Sequence, residues 1–373
     1  MWKLINMKLI NTEYGYEYSS IDNEDCCLDA PHSLFSNAHM LRSGRDAFKA
    51  IACQYSKCTA LLPALSCQSM ISPFSLFGHK VLFYSLKPDL TADLDSIYRL
   101  FSKINNTILF VYMNYFGIKS ISDDDLMTIY QHDMVGCKAS RNKNNIVMIE
   151  DRTHDLFSNE SSYFLPDFSL ASIRKWIAVP DGALLWIKDD KAPELDSEES
   201  FWKSRLCAQK LKSQYHMSMD LSLKSKYREI FSKSSVVLDK GLKPIRISSF
   251  SEHIIQHTNF SSVMKKRKSN VDTMIDEMRG SELIKIIQPI SGFSDLYVPF
   301  LVSNRDEIQK KLSALDIYCT IIWPLSEKQK RTCMVARWID EHMLAAPCDQ
   351  RYTEGDMKMI GMIIRSICTK YSS

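Results

Sequence analysis

Glycine is scarce in this chain: 11 of the 373 residues are glycine, about 3%, where an average protein has about 7%. Neither positive nor negative charge is in large excess, because the chain has 47 basic and 44 acidic residues. No apolar run approaches the roughly 18 residues that a membrane span requires. With 45% hydrophobic residues, the chain is also too apolar to be disordered. The sequence is therefore typical of a soluble globular protein, with no electrostatic reason to bind nucleic acid.

The cysteines also lack a pattern. The 11 cysteines contain no Cys-x-x-Cys pair and no Cys/His spacing typical of a zinc site. Their odd number, in a sequence without a recognisable secretory signal, is typical of the reducing cytoplasm. We therefore expect a cytoplasmic protein with no disulfide framework, no bound metal and no segment inserted in a membrane.

Short apolar runs alternate with helical patterns through the first half of the chain. The predicted strands are residues 60–62, 81–84, 108–112, 146–149 and 183–187, and the predicted helices between them include residues 45–55, 91–101 and 123–132. Strands that are apolar on both faces indicate a mostly parallel sheet covered by helices. Ligands of such sheets bind beyond the carboxyl ends of the strands. Reactive side chains are therefore expected at those ends.

The pattern changes in the second half. An acidic loop at residues 189–200 precedes two long helical patterns, residues 201–232 and 251–278. A strand (296–302), a helix (305–315), a strand (318–322) and a final helix (353–367) follow. The sequence therefore predicts an α/β protein with a large domain at residues 1–240 and a smaller C-terminal α/β domain at residues 241–373.

Two reactive side chains stand where a ligand is expected. Asp151 lies just past a predicted buried strand, after Glu150, although an aspartate at that position commonly caps the next helix. Lys175 precedes Trp176 and Ile177, an apolar setting in which a lysine can lose its proton and form a Schiff base. The alternative for Lys175 is an exposed helix lysine.

A third feature lies upstream, where Ser43 and Gly44 directly precede a predicted helix. Free N–H groups at a helix start bind phosphate, and a plain helix cap is the alternative. A phosphate cradle, a strand-end carboxylate and a Schiff-base lysine are together the parts that a pyridoxal-phosphate (PLP) enzyme needs.

At this point the sequence resembles a known family, the DegT/DnrJ/StrS aminotransferases, which are PLP-dependent enzymes of fold type I. The similar segments occur in order along nearly the whole chain: residues 41–52 (LRSGRDAFKAIA), 61–69 (LLPALSCQS), 111–117 (VYMNYFG), 147–154 (VMIEDRTH), 168–185 around the lysine, 298–302 and 347–357. The resemblance implies that Lys175 binds the cofactor and moves the proton, that Asp151 pairs with the pyridine nitrogen, and that His154 lies beside the phenolic oxygen. It places Asn114 against cofactor or substrate.

The same resemblance implies that Gly44, Arg45 and Ser172 bind the phosphate, with Ser169 as a rival for Ser172. Where the family has an aromatic ring over the cofactor, this chain has Cys67 or Leu65. The arginines at positions 152, 174 and 351 are candidates for binding a carboxylate or phosphate, with a surface ion pair as the alternative. The basic run at residues 265–268 (KKRK) is predicted to be a solvated helix face.

The expected function follows from the resemblance. The chain would be a homodimeric aminotransferase that moves an amino group from L-glutamate to a keto-sugar, expected to be nucleotide-linked, in the synthesis of a surface polysaccharide such as O-antigen or capsule. The alternatives are another fold-type-I PLP reaction, by a lyase or an amino acid aminotransferase, and a non-catalytic binding or regulatory relative.

Overall fold

The computed structural model describes residues 14–16, 35–132, 146–157, 162–189, 191–287 and 295–371. Within them the larger sheet has seven strands: β1 (His39–Leu41), β2 (Thr59–Pro63), β3 (Lys80–Tyr84), β4 (Ile108–Met113), β5 (Ile146–Asp151), β6 (Phe168–Ala171) and β7 (Ala183–Ile187). Their order is β1-β7-β6-β5-β4-β2-β3, and β7 alone among them runs antiparallel to its neighbours. This confirms the mostly parallel sheet that the apolar runs predict.

Helices connect these strands: α1 (Gly44–Ala52), α2 (Gln68–Leu76), α3 (Leu94–Phe101) and α4 (Asp123–Tyr130). Ser43, Asp93 and Ser122 cap α1, α3 and α4, each accepting a backbone N–H of the first turn. Every residue of β2 and β4 is buried, because helices cover both faces of the sheet. The carboxyl ends of the parallel strands therefore meet at one edge of a rigid layer.

Two long helical patterns are each divided in the structure. Residues 201–232, predicted as one helix, form α5 (Ser200–Ser218) and α6 (Leu221–Val237), because Met219 takes a left-handed conformation (φ 57°) and Asp220 caps the second helix. Residues 251–278 likewise form α7 (Ser249–Gln256) and α8 (Phe260–Met278), the latter capped by Asn259. Short polar caps inside a continuous helical pattern are the reason for both breaks.

The C-terminal part has its own sheet, with strands β8 (Lys285–Ile286), β9 (Tyr297–Leu301) and β10 (Met343–Pro347) in the order β10-β9-β8. Its helices are α9 (Arg305–Ser313), α10 (Glu327–Thr332), α11 (Met334–His342) and α12 (Glu354–Tyr371). The prediction of a strand at residues 318–322 is wrong. Thr320 forms only an isolated bridge to Ala345, and the strand that pairs with β9 is β10. The described pairings here are antiparallel, so this part is not a βαβ unit.

The C-terminal sheet packs with α8, α9 and α12 around an apolar cluster that extends from Val271 to Cys368. That cluster lies within residues 241–373, which is compatible with the expected smaller domain, although the limits of the two domains stay a prediction. No helix in the described ranges combines the length and the apolar content needed to cross a bilayer.

Gly182 is one of the few glycines, and its place requires glycine. It lies between the lysine-bearing segment and β7 with φ +143°, a conformation that side chains rarely adopt. A Cβ there would lie 2.8 Å from Ile173 Cγ2 and 3.3 Å from Ile247 Cδ1. The missing side chain therefore lets the turn before β7 pack directly against its neighbours.

Gly182→Ala is expected to lower the free energy of unfolding by about 3 kcal/mol, from backbone strain together with overpacking. The matched control is Gly241→Ala, which has a positive φ of 77° but no atom within 4 Å of the added Cβ. It should cost only about 1 kcal/mol. Urea unfolding of both variants measures the difference, and equal losses would contradict the packing account.

Candidate active site

The lysine-bearing segment turns sharply at the carboxyl end of β6. Ser172 follows the strand, and Ile173–Lys175 form one turn of 3-10 helix. A pocket opens there, lined by residues from β5, β6, the start of α1 and the start of α2: Ser43, Gly44, Arg45, Phe48, Cys67, Ser69, Met70, Asp151, Thr153, Leu170, Ser172, Arg174 and Lys175. Five of the seven residues predicted for the site therefore share one pocket, at the edge of the sheet where ligands bind.

Asp151 and Lys175 both line this pocket, and the charge of each residue affects the pKa of the other. Asp151 is 6% exposed, and burial raises its pKa, although Thr153 N–H donates to Asp151 Oδ1 at 2.9 Å and the charge of Lys175 favours ionisation. Burial lowers the pKa of Lys175, against the opposing influence of Cys67 and Asp151. The amine is therefore closer to its neutral, nucleophilic form at pH 7 than an exposed lysine is.

The start of α1 forms a positively charged cradle. Ser43 caps the helix by accepting the Asp46 N–H, and a Cβ on Gly44 would lie 3.8 Å from Ser172 Cβ, so the helix start and the Ser172 turn approach closely. Arg45 is held by an ion pair of 2.9 Å with Asp239. Burial lowers the pKa of Arg45, and the charge of Arg174 lowers it further. Two neighbouring guanidinium groups at a helix start favour a bound anion.

His154 is buried near Lys175 but does not line this pocket. Its ring is 1% exposed and lies between Phe116 and Trp323, with ring centroids 5.0 Å and 5.3 Å away. Burial holds the pKa of His154 well below its usual range, and the charge of Lys175 lowers it further. The imidazole is therefore neutral at pH 7, and its contact with a cofactor oxygen stays a prediction.

Asn114 is placed in a neighbouring pocket. Asn114 Nδ2 donates to Asp155 Oδ2 at 2.7 Å, and Asn114 Oδ1 accepts the Ser120 N–H at 3.2 Å. Asn114 and Ser169 both line that second pocket, and Ser169 Oγ donates to Glu150 at 2.9 Å. Of the two rival serines, Ser172 therefore lies beside Lys175, and the role of Asn114 stays a prediction.

Cys67 and Thr153 complete the first pocket. Cys67 is the N-cap residue directly before α2, its Sγ lies 2.8 Å from Ser69 Oγ, and it lines the pocket, whereas Leu65 is fully buried in the core. Thr153 was missed from the sequence because it lies beyond the end of β5, where strand alternation no longer indicates direction. Its polar character just after a strand-end carboxylate was the available signal.

The basic run at residues 265–268 is not a solvated face throughout. Lys265 and Lys268 are exposed, but Arg267 is 0% exposed. Arg267 Nη2 donates to the Trp176 carbonyl at 3.1 Å and to the Tyr14 hydroxyl, and Nη1 donates to the Asp295 carbonyl at 2.8 Å. The prediction is wrong at Arg267, because buried carbonyl groups far away in the sequence satisfy its guanidinium.

The structure places the three arginine candidates in different surroundings. Arg174 lines the first pocket, whereas Arg152 lines the second, with its guanidinium 5.8 Å from the Trp186 ring. Arg351 pairs with Asp349 at 2.7 Å, which gives it a structural partner. Arg174 is therefore the candidate that the structure places beside Lys175. Among the described residues, no cluster of metal-ligating side chains is found.

Comparisons with known proteins give the class of the fold. No protein-family model matches the sequence, and no curated protein matches it significantly. Among solved structures, PseC from Helicobacter pylori, an aminotransferase involved in the biosynthesis of pseudoaminic acid, is 12% identical with a TM-score of 0.65, over 98% of this chain and 100% of its own. The sugar aminotransferase CalS13 from Micromonospora echinospora is 12% identical with a TM-score of 0.63, over 96% and 99%.

A third structure, an aminotransferase of the DegT/DnrJ/EryC1/StrS type from Brucella abortus, is 13% identical with a TM-score of 0.58, over 89% of this chain and 86% of its own. The chain therefore has the fold of the PLP-dependent aminotransferases. More narrowly, it has the fold of the DegT/DnrJ/EryC1/StrS-type sugar aminotransferases, as the sequence resemblance implied.

Asp151→Asn is expected to lower the pKa of Lys175, because the negative charge of Asp151 stabilises the ammonium form. On protein stripped of small molecules, the pH midpoint for labelling Lys175 with an amine reagent should move to lower pH, as followed by peptide mass spectrometry. Asp155→Asn is the control, since Asp155 is a buried carboxyl group near enough to feel the charge of Asp151 but is not among the main influences on Lys175. An unchanged midpoint in Asp151→Asn would contradict the geometry.

Arg267→Lys is expected to lower the free energy of unfolding by about 2 kcal/mol, because an ammonium group cannot reproduce the fork of bonds that reaches Trp176, Tyr14 and Asp295. Lys265→Ala, on the exposed side of the same helix, should stay within about 0.5 kcal/mol of the wild type. Thermal and urea unfolding measure both variants. Equal stability would show that Arg267 does not hold the lysine turn.

Proposed function

We propose that the chain binds PLP at Lys175 and is an aminotransferase. The observation that carries this proposal is that the amine of Lys175, the buried carboxylate of Asp151 and the positive cradle at the start of α1 line the same pocket. A PLP site needs these three groups together, since the cofactor carries an aldehyde, a basic ring nitrogen and a phosphate dianion. The fold supports the proposal, because the similar structures include one solved in a PLP form and a PMP form.

The residues present fit the cofactor. Gly44 and Arg45 offer backbone N–H groups at the first turn of α1, and the guanidinium groups of Arg45 and Arg174 add positive charge for a phosphate. Ser172, at the turn facing Gly44, adds a hydroxyl. Asp151 is the acidic group that would pair with a protonated ring nitrogen. Each part of the pocket thus has a complementary part in PLP.

Bound PLP would supply an electron sink for a carbanion at the amino acid α-carbon. The chain supplies the proton transfers and the surroundings. Lys175 Nζ, with its pKa lowered by burial, accepts and returns a proton within the pocket. Asp151 holds a counter-charge, and the buried apolar side chains of Phe48 and Leu170, which line the pocket, limit the access of water. His154, which does not line the pocket, is neutral and adds no charge near Lys175.

The similar proteins guide the choice of substrates. PseC is described as an enzyme of pseudoaminic acid biosynthesis, and DesI, 11% identical with a TM-score of 0.64 over 92% of this chain and 84% of its own, was solved with its TDP-sugar product. We therefore propose a nucleotide-linked keto-sugar as acceptor. L-Glutamate, the amino donor that the sequence resemblance implies, is proposed with it. A homodimer in the cytoplasm that serves surface-polysaccharide synthesis completes the proposal.

Reduction with borohydride after incubation with PLP tests the cofactor part. A covalent pyridoxyl-phosphate adduct is expected on the peptide that contains Lys175, and the adduct should disappear in Lys175→Ala because no other lysine lines the pocket among the described residues. Lys188→Ala, which removes an exposed lysine, is the control and should keep the adduct. An adduct spread over surface lysines in the wild type would contradict the proposed site.

The PLP-loaded wild-type protein also distinguishes an aminotransferase from the alternative functions. Incubation of the loaded protein with L-glutamate should release pyridoxamine phosphate and 2-oxoglutarate in equal amounts, as measured by chromatography. An aldehyde cofactor that persists unchanged with every amino acid tested would favour a lyase or a non-catalytic binding protein, and would overturn the assignment as an aminotransferase without overturning the cofactor site.

A further inference from the structure

Tyr14 connects a distant part of the chain to the backbone of the lysine turn. Its hydroxyl oxygen lies 3.3 Å from the Lys175 carbonyl oxygen and 3.0 Å from the Trp176 carbonyl oxygen, although 161 residues separate Tyr14 from Lys175. The side chain of Tyr14 is 4% exposed. Tyr14 therefore contacts the main chain of the same residue whose side chain lines the pocket.

The hydrogen bonds of the Tyr14 hydroxyl have a fixed direction. Arg267 Nη2 donates to the Tyr14 oxygen, because a guanidinium group has donors only. The hydroxyl proton of Tyr14 is therefore directed to the two carbonyl groups of the turn. The Trp176 carbonyl has further donors, Arg267 Nη2 at 3.1 Å and Gln350 Nε2 at 3.2 Å. For the Lys175 carbonyl, Tyr14 is the one donor found among the described residues.

The backbone beside Tyr14 is held on helix α5. The Tyr16 N–H donates to Ser213 Oγ at 2.7 Å, and Ser213 Oγ donates to the Tyr16 carbonyl at 3.2 Å. A Cβ on Gly15 would lie 2.7 Å from the same Ser213 oxygen, so the two segments are in close contact. The Arg351 guanidinium lies 4.5 Å from the centre of the Tyr14 ring. The ring and its backbone are thus held by contacts that do not involve the hydroxyl.

We propose that Tyr14 is a positioning residue, whose hydroxyl holds the backbone of Lys175, and with it the amine, in place at the pocket. This inference rests on the proposed PLP site, where Lys175 is the residue that reacts with the cofactor. It gives a role to a residue that no sequence motif assigned. Tyr14 acts through the backbone of Lys175, since Tyr14 itself does not line the pocket.

The lysine turn needs such support because it is short. Ile173–Lys175 form a single turn of 3-10 helix, which has little stability of its own. Without the Tyr14 hydroxyl, the Lys175 carbonyl loses its donor and turns towards water or another donor. The side chain moves with the backbone to which it is attached. Greater contact with water then weakens the effect of burial, which in the wild type lowers the pKa of Lys175.

Labelling of Lys175 with an amine reagent tests this role on protein stripped of small molecules. Tyr14→Phe removes the hydroxyl and keeps the ring beside Arg351. The pH midpoint of labelling should rise by about half a pH unit, because the pKa of Lys175 returns towards its ordinary value when a bond of this kind is lost. Peptide mass spectrometry follows the labelling.

The matched control is Tyr84→Phe. It removes a buried hydroxyl that donates to the Val111 carbonyl at 3.2 Å, inside the large sheet and away from the lysine turn. Its labelling midpoint should equal that of the wild type. A midpoint in Tyr14→Phe that is unchanged or lower would overturn the proposal. An equal rise in Tyr84→Phe would also overturn it, because the effect would then be a general loosening of the fold.

Ser213→Ala tests the same contact without a change in Tyr14, and it replaces Tyr14→Phe if that variant does not fold. The substitution removes both hydrogen bonds that hold Tyr16 on α5. The hydroxyl of Tyr14 is then less firmly placed, and the labelling midpoint of Lys175 should again rise. If Tyr14→Phe does not fold, an unchanged midpoint in Ser213→Ala overturns the proposal.

Two ligands measure the consequence for the cofactor. In the proposed site the neutral amine of Lys175 attacks the aldehyde carbon of PLP, a C=N bond forms and one water molecule leaves. 4′-Deoxypyridoxine 5′-phosphate has a methyl group in place of the aldehyde, so its binding does not use the amine. Tyr14→Phe should weaken PLP binding about three- to tenfold, the size of one lost hydrogen bond, and change binding of the analogue less than about twofold. Fluorescence titration gives both dissociation constants.

The outcomes separate the two proposals. A wild type that binds neither ligand overturns the PLP site, and the labelling midpoint then still decides the role of Tyr14 because it needs no cofactor. A wild type that binds PLP, together with a Tyr14→Phe variant that loses both ligands equally or loses neither, overturns the role of Tyr14. A purely structural effect does not distinguish an aldehyde from a methyl group.

Discussion

The turn that carries Lys175 is held from two sides, and the site depends on that constraint. From the sheet, Thr153 accepts the Ser172 N–H and the Trp176 indole N–H. From α8, Arg267 donates to the Trp176 carbonyl across 91 residues of sequence. A 3-10 turn of three residues has little stability of its own. These outside bonds therefore hold the Lys175 turn at a pocket that Asp151 also lines, and burial of the amine lowers its pKa.

Alternation along the strands decides which predicted residues meet in the pocket. In β5, Asp151 faces Lys175, while the preceding Glu150 points to the second pocket and accepts from Ser169 across the strand pair. Adjacent strand residues lie on opposite faces of a sheet. The two pockets at this edge are therefore lined by alternate side chains of the strand. This geometry assigns Ser172 to the lysine pocket and separates Ser169 from it.

Much of the fold and of the pocket could be predicted from the sequence, because the patterns that indicate them lie within short segments of the chain. Apolar runs predicted the parallel sheet, and a carboxylate at a strand end, a lysine beside tryptophan and a glycine at a helix start predicted the pocket. The rest depended on distant contacts. Burial of Arg267 inside a basic run requires carbonyl groups from Trp176 and Asp295, and β10 forms only because β9 lies beside it. Neither the burial of Arg267 nor the formation of β10 leaves a periodic pattern in the sequence.

The central claim is that Lys175, Asp151 and the start of α1 form one PLP site. A crystal structure of the protein grown with PLP tests this claim most directly. We expect electron density continuous from Lys175 Nζ to the cofactor, with the ring nitrogen at Asp151 and the phosphate between Gly44 and Ser172. Density for the cofactor at another place, or a phosphate bound away from α1 with Lys175 unmodified, would contradict it.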